Sequence, residues 1–230
     1  MKLIKHIFLD LDDTLFDFKR SERVALSNTL SALGIDPTDE VISRYSVINR
    51  GQWEALERGE ATREEILPRR YEILFNELGV EIEPMKAQKL YEKSLTGTYF
   101  YIDGAEELIR ELHKDYKTYI ASNGTAIVQD GRIGLSGIDK YFDKIFISER
   151  VGHNKPSKEF FDACFKDIGE IDRKETIIIG DSLTSDILGG KNAGILTCLY
   201  NPKGNAARED IKPDYEVKSL AEIPNLLKSI

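Results

Sequence analysis

Apolar and polar positions alternate in two different ways along this chain. Ile4 and the run Ile7-Phe8-Leu9 are followed at once by Asp10-Leu11-Asp12-Asp13. An apolar run this short, bounded by polar residues, predicts a strand buried on both faces. From about residue 17 to about residue 97 the apolar positions recur at helical spacing, with no strand pattern. A first helix covers 21–33 and stops at Gly34. Val41, Tyr45, Ile48, Gln52 and Leu56 trace one face of a second. Thr62, with Glu65 three residues on, is a capping box that opens a third. Ile66, Leu67, Tyr71, Leu74, Phe75 and Leu78 supply its apolar face, and Gly79 ends it. Pro68 either kinks this helix or marks a later start. The pair Arg69-Arg70, near Glu64 and Glu65, reads as a solvated helix face. Pro84 begins a fourth helix carrying Leu90, Tyr91 and Leu95. Four helices with short connections predict a small bundle, inserted after the first strand.

From Tyr101 the pattern changes to alternation of strands and helices. Strands are predicted at 117–121, 144–147, 176–179 and 195–199, with a short one at 215–217. Helices are predicted at 126–135, 158–168, 185–193 and 221–227, and another runs to Leu112 with Asp103 as its cap. Pro156 is placed as the first residue of a helical segment. Alternation of this kind implies right-handed crossovers and a parallel sheet covered on both faces. Ligands of such sheets bind beyond the carboxyl ends of the strands.

Composition narrows the classes of function. The 230 residues carry a net charge of -8, with 41% hydrophobic and 31% charged residues, as in a globular protein of one large or two modest domains. The acidic balance argues against a nucleic-acid polymer or an anionic membrane as partner. A phosphate must then be bound locally, by a metal ion or a few placed cations. No stretch has the apolar length of a membrane span. Asp10 comes too early for a secretory signal. Cys164 and Cys198 lie in apolar contexts and read as buried free thiols, which places the protein in the cytoplasm.

Chemistry gathers at the predicted strand ends. Asp10 and Asp12 crowd like charges, which is unfavourable unless a cation or a chemical task requires it. Ser122-Asn123-Gly124 offers a hydroxyl and backbone N–H groups ahead of a helix, suited to an anion or simply a helix cap. Lys155 could neutralise a phosphate, although a lone lysine is more often solvated. Gly180-Asp181 through Asp186 is a second acidic turn after a strand, able to ligate a hard cation or to cap a helix. Each bland reading is reasonable alone. Their conjunction at one edge of one sheet is the equipment for handling a phosphoryl group.

Asp10-Leu11-Asp12-Asp13-Thr14, then Ser122, Lys155-Pro156, and Gly180-Asp181 through Asp186 together resemble the motifs of the haloacid dehalogenase-type hydrolase superfamily. The resemblance covers the whole chain and implies an α/β fold. A Rossmann-like, doubly wound parallel sheet core would take 1–16 and 101–230, with an inserted helical-bundle cap domain at 17–100. It implies that Asp10 is a nucleophile forming an aspartyl-phosphate and that Asp12 is the acid and base. Asp12 also separates phosphatase from dehalogenase, because attack on carbon needs no such acid. The implied cofactor is Mg²⁺, with Mn²⁺ an alternative, held by the Asp10 carboxylate, the Asp12 backbone carbonyl and Asp181, with Asp186 behind them. Substrate contacts would come from Thr14, Ser122, Asn123 and Lys155.

Gln129, Arg132, Ser136-Gly137, Gly189-Gly190 and Asn192-Ala193-Gly194, with Asn49, Gly51, Gln52 and Trp53 in the cap, look similar to the bacterial pyrimidine 5'-nucleotidase branch. That implies a nucleoside monophosphate as partner, with Asn49 and Trp53 as cap contacts, and leaves monomer or homodimer open. Trp53 either stacks on a base or belongs to the cap core. The alternatives are a sugar-phosphate or phosphoglycolate phosphatase, a phosphomutase, and a phospho-Asp signalling or binding module.

Overall fold

A computed structural model describes residues 4–204 and 210–230. The chain forms two compact units: residues up to Asp17 together with Phe100–Ile230, and Phe18–Tyr99. Strand β1 (His6–Leu9) belongs to the first. The second consists of helices α1 (Phe18–Ala32), α2 (Asp39–Glu57), α3 (Arg63–Leu78) and α4 (Pro84–Thr96). Helix α3 opens on the reciprocal capping box. The Glu65 N–H donates to Thr62 Oγ1 at 3.3 Å and the Thr62 N–H to Glu65 Oε2 at 2.8 Å. The helix starts before Pro68 and runs through it, so the later start is ruled out. Proline lacks the N–H that would reach back four residues, and α3 tolerates the loss of that one bond. Arg70 corrects the solvated-face reading. It is 2% exposed because helical spacing sets it on the buried stripe of Ile66 and Leu74, while Arg69 faces water. Among the described residues no helix is long and apolar enough to cross a membrane.

In the first unit, β1 is joined by β2 (Lys117–Ser122), β3 (Lys144–Ile147), β4 (Thr176–Gly180), β5 (Leu196–Tyr200) and β6 (Tyr215–Val217). They form a six-stranded sheet in the order β3-β2-β1-β4-β5-β6, every neighbouring pair parallel. Leu9 is level with Ile120 on β2 and Ile179 on β4. The strand order reverses direction between β1 and β4, where a crevice opens at the carboxyl edge. Both faces of β1 are buried. Phe8 packs with Tyr119, Phe146, Phe161 and Ile178 on one face, and Ile7 and Leu9 alternate to the other.

The helices of this unit are α5 (Ala105–Asp115), α6 (Ala126–Ser136), α7 (Ser148–Val151), α8 (Lys158–Ile168), α9 (Leu188–Ala193) and α10 (Ile223–Ser229). Three expectations are corrected. The N-cap of α5 is Gly104, at φ 79°, and not Asp103. Pro156 lies in a turn before α8, whose cap is Ser157, its Oγ accepting from the Phe160 N–H at 3.2 Å. The helix predicted at 185–193 begins as a π-helical turn, Leu183–Ile187, and only then becomes α9. Such turns are rare and recur at functional sites. Cys164 and Cys198 are buried free thiols.

Candidate active site

Strand β1 delivers Asp10 to the sheet edge, where its N–H extends the ladder to the Ile179 carbonyl at 3.0 Å. The chain then turns sharply. The Leu15 and Phe16 N–H groups both donate to the Leu11 carbonyl, at 2.9 and 2.8 Å. Asp13 adopts φ 59°. That left-handed backbone costs about 1 kcal/mol in a residue with a Cβ, and aspartate is among the residues that tolerate it. The turn sends Asp12 toward α6. Arg132 Nη1 donates to Asp12 Oδ1 at 2.5 Å, and Gln129 Nε2 to Oδ2 at 2.7 Å.

Lys155 stands at the centre of the buried charges. Its Nζ donates to Asp10 Oδ1 at 2.7 Å, to Asp186 Oδ1 at 2.6 Å and to the Ala121 carbonyl at 2.6 Å. An ammonium has three protons, and all are used. Burial opposes charge on Lys155, but Asp10 and Asp186 outweigh it and raise its pKa. Burial pushes the Asp10 carboxyl up; Lys155 opposes the shift, and Asp186 and Asp12 add to it. Asp186 is also buried, and its Oδ2 accepts the Ser182 N–H at 3.1 Å. Asp10, Asp181 and Asp186 each present a carboxylate oxygen within 4.8 Å of the others. Three hard anionic donors at this spacing fit a Mg²⁺- or Mn²⁺-like cation. The Asp12 carboxylate is absent from the cluster because α6 holds it.

The remaining polar residues brace this arrangement. Ser122 Oγ accepts from Gln129 Nε2 at 2.9 Å and from the Gly124 N–H at 3.2 Å. With both lone pairs occupied, that hydroxyl can only donate. Asn123 clasps the Lys155 segment. Its Nδ2 donates to the Lys155 carbonyl at 2.8 Å and its Oδ1 accepts the Lys155 N–H at 2.9 Å. Asn123 Nδ2 also reaches Ser185 Oγ at 3.1 Å. Thr14 is fully buried, and its Oγ1 accepts the Asp181 N–H at 3.1 Å. The side chains of Thr14 and Asn123 are engaged with the groups around them.

A model of the family described as haloacid dehalogenase-like hydrolase matches residues 4–194. The chain belongs to this family. It is 37% identical to the HAD-hydrolase YfnB of Bacillus subtilis, over 99% of this chain and 97% of that one. A crystal structure of YfnB bound to magnesium aligns with a TM-score of 0.93, covering 97% of this chain and 98% of that one. That structure reveals interdomain movement in YfnB. The pyrimidine 5'-nucleotidases PynA of Streptococcus pneumoniae and YjjG of Escherichia coli are 34% and 33% identical. These matches cover 97% and 96% of this chain, and 94% and 96% of the relatives.

In this haloacid dehalogenase-like hydrolase, Asp10, Asp12, Ser122, Lys155, Asp181 and Asp186 come together through direct contacts or single intermediaries within the first unit. The two cap candidates lie in the second unit. Asn49 is 3% exposed, its Nδ2 donating to Glu22 Oε1 at 2.6 Å and its Oδ1 accepting from Arg70. Its amide is spent inside the bundle. Trp53 is half-buried, with the Arg63 guanidinium 5.2 Å from its ring centre. Sequence reasoning missed Ser185, which lies between the two carboxylates of the last motif. It also noted Gln129 and Arg132 without giving them a task.

Proposed function

We propose that this hydrolase is a metal-dependent phosphatase, acting on phosphomonoesters through an aspartyl-phosphate on Asp10, with pyrimidine nucleoside 5'-monophosphates as substrates. One observation carries the reading: Asp10 sits in a buried carboxylate cluster against Lys155, with a second acid, Asp12, two residues on and separately anchored. The choice of nucleotide rests on the whole-length likeness to PynA and YjjG.

Asp10, Asp181 and the Asp12 carbonyl would hold the cation, with Asp186 fixed behind them by Lys155 and Ser182. When bound, the metal supplies the positive charge that offsets repulsion between Asp10 and an anionic substrate. Lys155 pins Asp10 Oδ1, which leaves Oδ2 to attack phosphorus. The P–O bond to the leaving group breaks as Asp12 gives its proton to the departing oxygen. In the second half, water attacks the aspartyl-phosphate, Asp12 takes the water proton, and inorganic phosphate leaves. The Ser122 hydroxyl and nearby N–H groups donate to the non-bridging oxygens, whose charge must be held in the transition state. Lys155 contributes positive charge and orientation, since its own donors are committed.

The test is phosphate release from pyrimidine and purine 5'-monophosphates, sugar phosphates and phosphoglycolate, with Mg²⁺ and with EDTA. Release that needs the metal and favours pyrimidine nucleotides is expected, and Asp10→Asn is expected to abolish it. A metal-dependent preference for a sugar phosphate would retain the mechanism and discard the nucleotide. Wild-type activity in Asp10→Asn would discard the mechanism.

A further inference from the structure

Helix α6 contributes two buried polar side chains that the mechanism above does not use. Gln129 is 1% exposed and Arg132 is fully buried. They stand three residues apart, on one helical face. Between them they bind both oxygens of the Asp12 carboxylate, Arg132 on Oδ1 and Gln129 on Oδ2. They also bind one another. Arg132 Nη1 donates to Gln129 Oε1 at 3.0 Å, which fixes the carbonyl end of the amide and turns its NH₂ toward Asp12 and Ser122. The guanidinium lies 5.2 Å from the centre of the Phe16 ring, in the turn that carries Asp12.

The backbone makes room for this contact. A Cβ at Gly124 would fall 2.2 Å from Gln129 Nε2, so only glycine at 124 lets the amide stand where it does. Keeping a charged and a primary-amide side chain in this interior is expensive. Well-packed apolar replacements of similar volume are often neutral or stabilising. Stability alone therefore does not account for the pair.

We propose that Gln129 and Arg132 are positioning residues for the acid and base Asp12, and that Gln129 links that carboxyl group to the phosphate-holding Ser122 hydroxyl. This rests on the phosphatase reading of the site. One amide touches both groups, so the proton donor and the phosphoryl cradle are registered against each other by a single rigid side chain. A misplacement of about 1 Å in such a group can cost on the order of 100-fold in rate.

The consequence depends on the leaving group. An alkyl phosphomonoester releases a basic alkoxide that needs the Asp12 proton. p-Nitrophenyl phosphate releases a stabilised phenolate that does not. The ratio of kcat/KM for the two esters isolates the proton donor, because loss of Ser122 orientation weakens both substrates alike and cancels. The alkyl ester should be the one that the wild type turns over fastest. Gln129→Met and Arg132→Met are expected to lower the alkyl-to-aryl ratio by about 10- to 100-fold, and Asp12→Asn by at least as much. Arg132→Lys, which keeps a cation in reach of Asp12, is expected to recover part of the ratio. A purely structural role would lower both esters together and leave the ratio intact. If Arg132→Met does not fold, Gln129→Met alone decides. A changed ratio in Asp12→Asn with none in the Gln129 and Arg132 variants overturns the positioning role and leaves the phosphatase reading standing. No change of ratio in Asp12→Asn, or a wild type that hydrolyses neither ester, overturns both.

Discussion

At the scale of single residues, the site is held by contacts that leave no slack, and glycine shows this most directly. A Cβ on Gly180 would fall 2.2 Å from Asp186 Oδ2 and 2.3 Å from its Cγ. Asp186 cannot step aside, because Lys155 holds one oxygen and the Ser182 N–H the other. Gly180→Ala is therefore expected to destabilise the fold by about 1–3 kcal/mol. It should also weaken Mg²⁺ binding by about 10–100-fold through the displaced carboxylate. Gly134, inside α6 with nothing within 4 Å of a built Cβ, is the opposite case. Gly134→Ala is expected to stabilise by about 0.5–1 kcal/mol, from helix propensity alone. Thermal unfolding of the two variants, with Mg²⁺ titration calorimetry on Gly180→Ala, checks the pair; shifts of the same sign would contradict the steric account. Asp10, Ser122, Lys155 and Asp181 were legible in sequence because each directly follows an apolar run or a turn signal. The contacts of Gln129 and Arg132 with Asp12 were not, because in sequence the two stood only within a family likeness and nothing local shows that the turn after β1 brings Asp12 to them.

At the scale of elements, the helical unit is tied together by a polar network through its interior. Arg70 on α3 donates to Asn49 on α2 and Gln88 on α4, and Asn49 donates to Glu22 on α1. Tyr45, Tyr71 and Tyr91 surround the guanidinium at 5.5 to 5.9 Å. Each helix contributes a group, so the network fixes which faces meet, a task that interchangeable aliphatic residues perform poorly. Arg70→Met should cost about 3 kcal/mol or more, since it removes a buried cation and strands the carbonyl oxygens of Asn49 and Gln88. Adding Glu22→Gln should recover part of that loss, because the carboxylate no longer lacks the guanidinium. A coupling of at least about 1 kcal/mol is expected from urea denaturation of the full chain. Strict additivity would mean that the network is incidental. The helices themselves were legible from caps and periodicity, as Thr62, Gly79 and Pro84 show. Arg70 was misread because its charge was weighed above its place in the repeat Ile66, Arg70, Leu74. The π-helical turn at Leu183–Ile187 had no local signal, since hydrogen bonds around Asp181 and Asp186 shape it.

At the scale of the whole sheet unit, the two strand edges carry different kinds of carboxylate. The carboxyl edge concentrates Asp10, Asp181 and Asp186. The amino edge uses Asp143 and Asp214 as stitches. Asp143 accepts the Thr118 N–H at 3.1 Å and Lys117 Nζ at 2.7 Å, joining the approach to β3 with β2. Asp214 accepts the Thr197 N–H at 2.9 Å and Thr197 Oγ1 at 2.7 Å, joining the approach to β6 with β5. Partial burial works against each charge, but the lysine and backbone donors prevail, and both carboxyls sit below their ordinary pKa. A carboxyl with a depressed folded pKa binds its proton more readily when unfolded. Its stabilisation is therefore present above about pH 4 and is lost as pH falls through the folded value. The difference in stability between the wild type and Asp143→Asn isolates this contribution from every other titrating group. Lys117 is 64% exposed, so the ion pair adds little and most of the effect comes from the backbone bond. A difference of about 1 kcal/mol is expected by urea denaturation at pH 7. It should hold down to about pH 4 and shrink as the pH falls below that. A difference that stays constant across that range would mean that the carboxylate charge does not hold β2 and β3 together, and that the stitch works through shape alone.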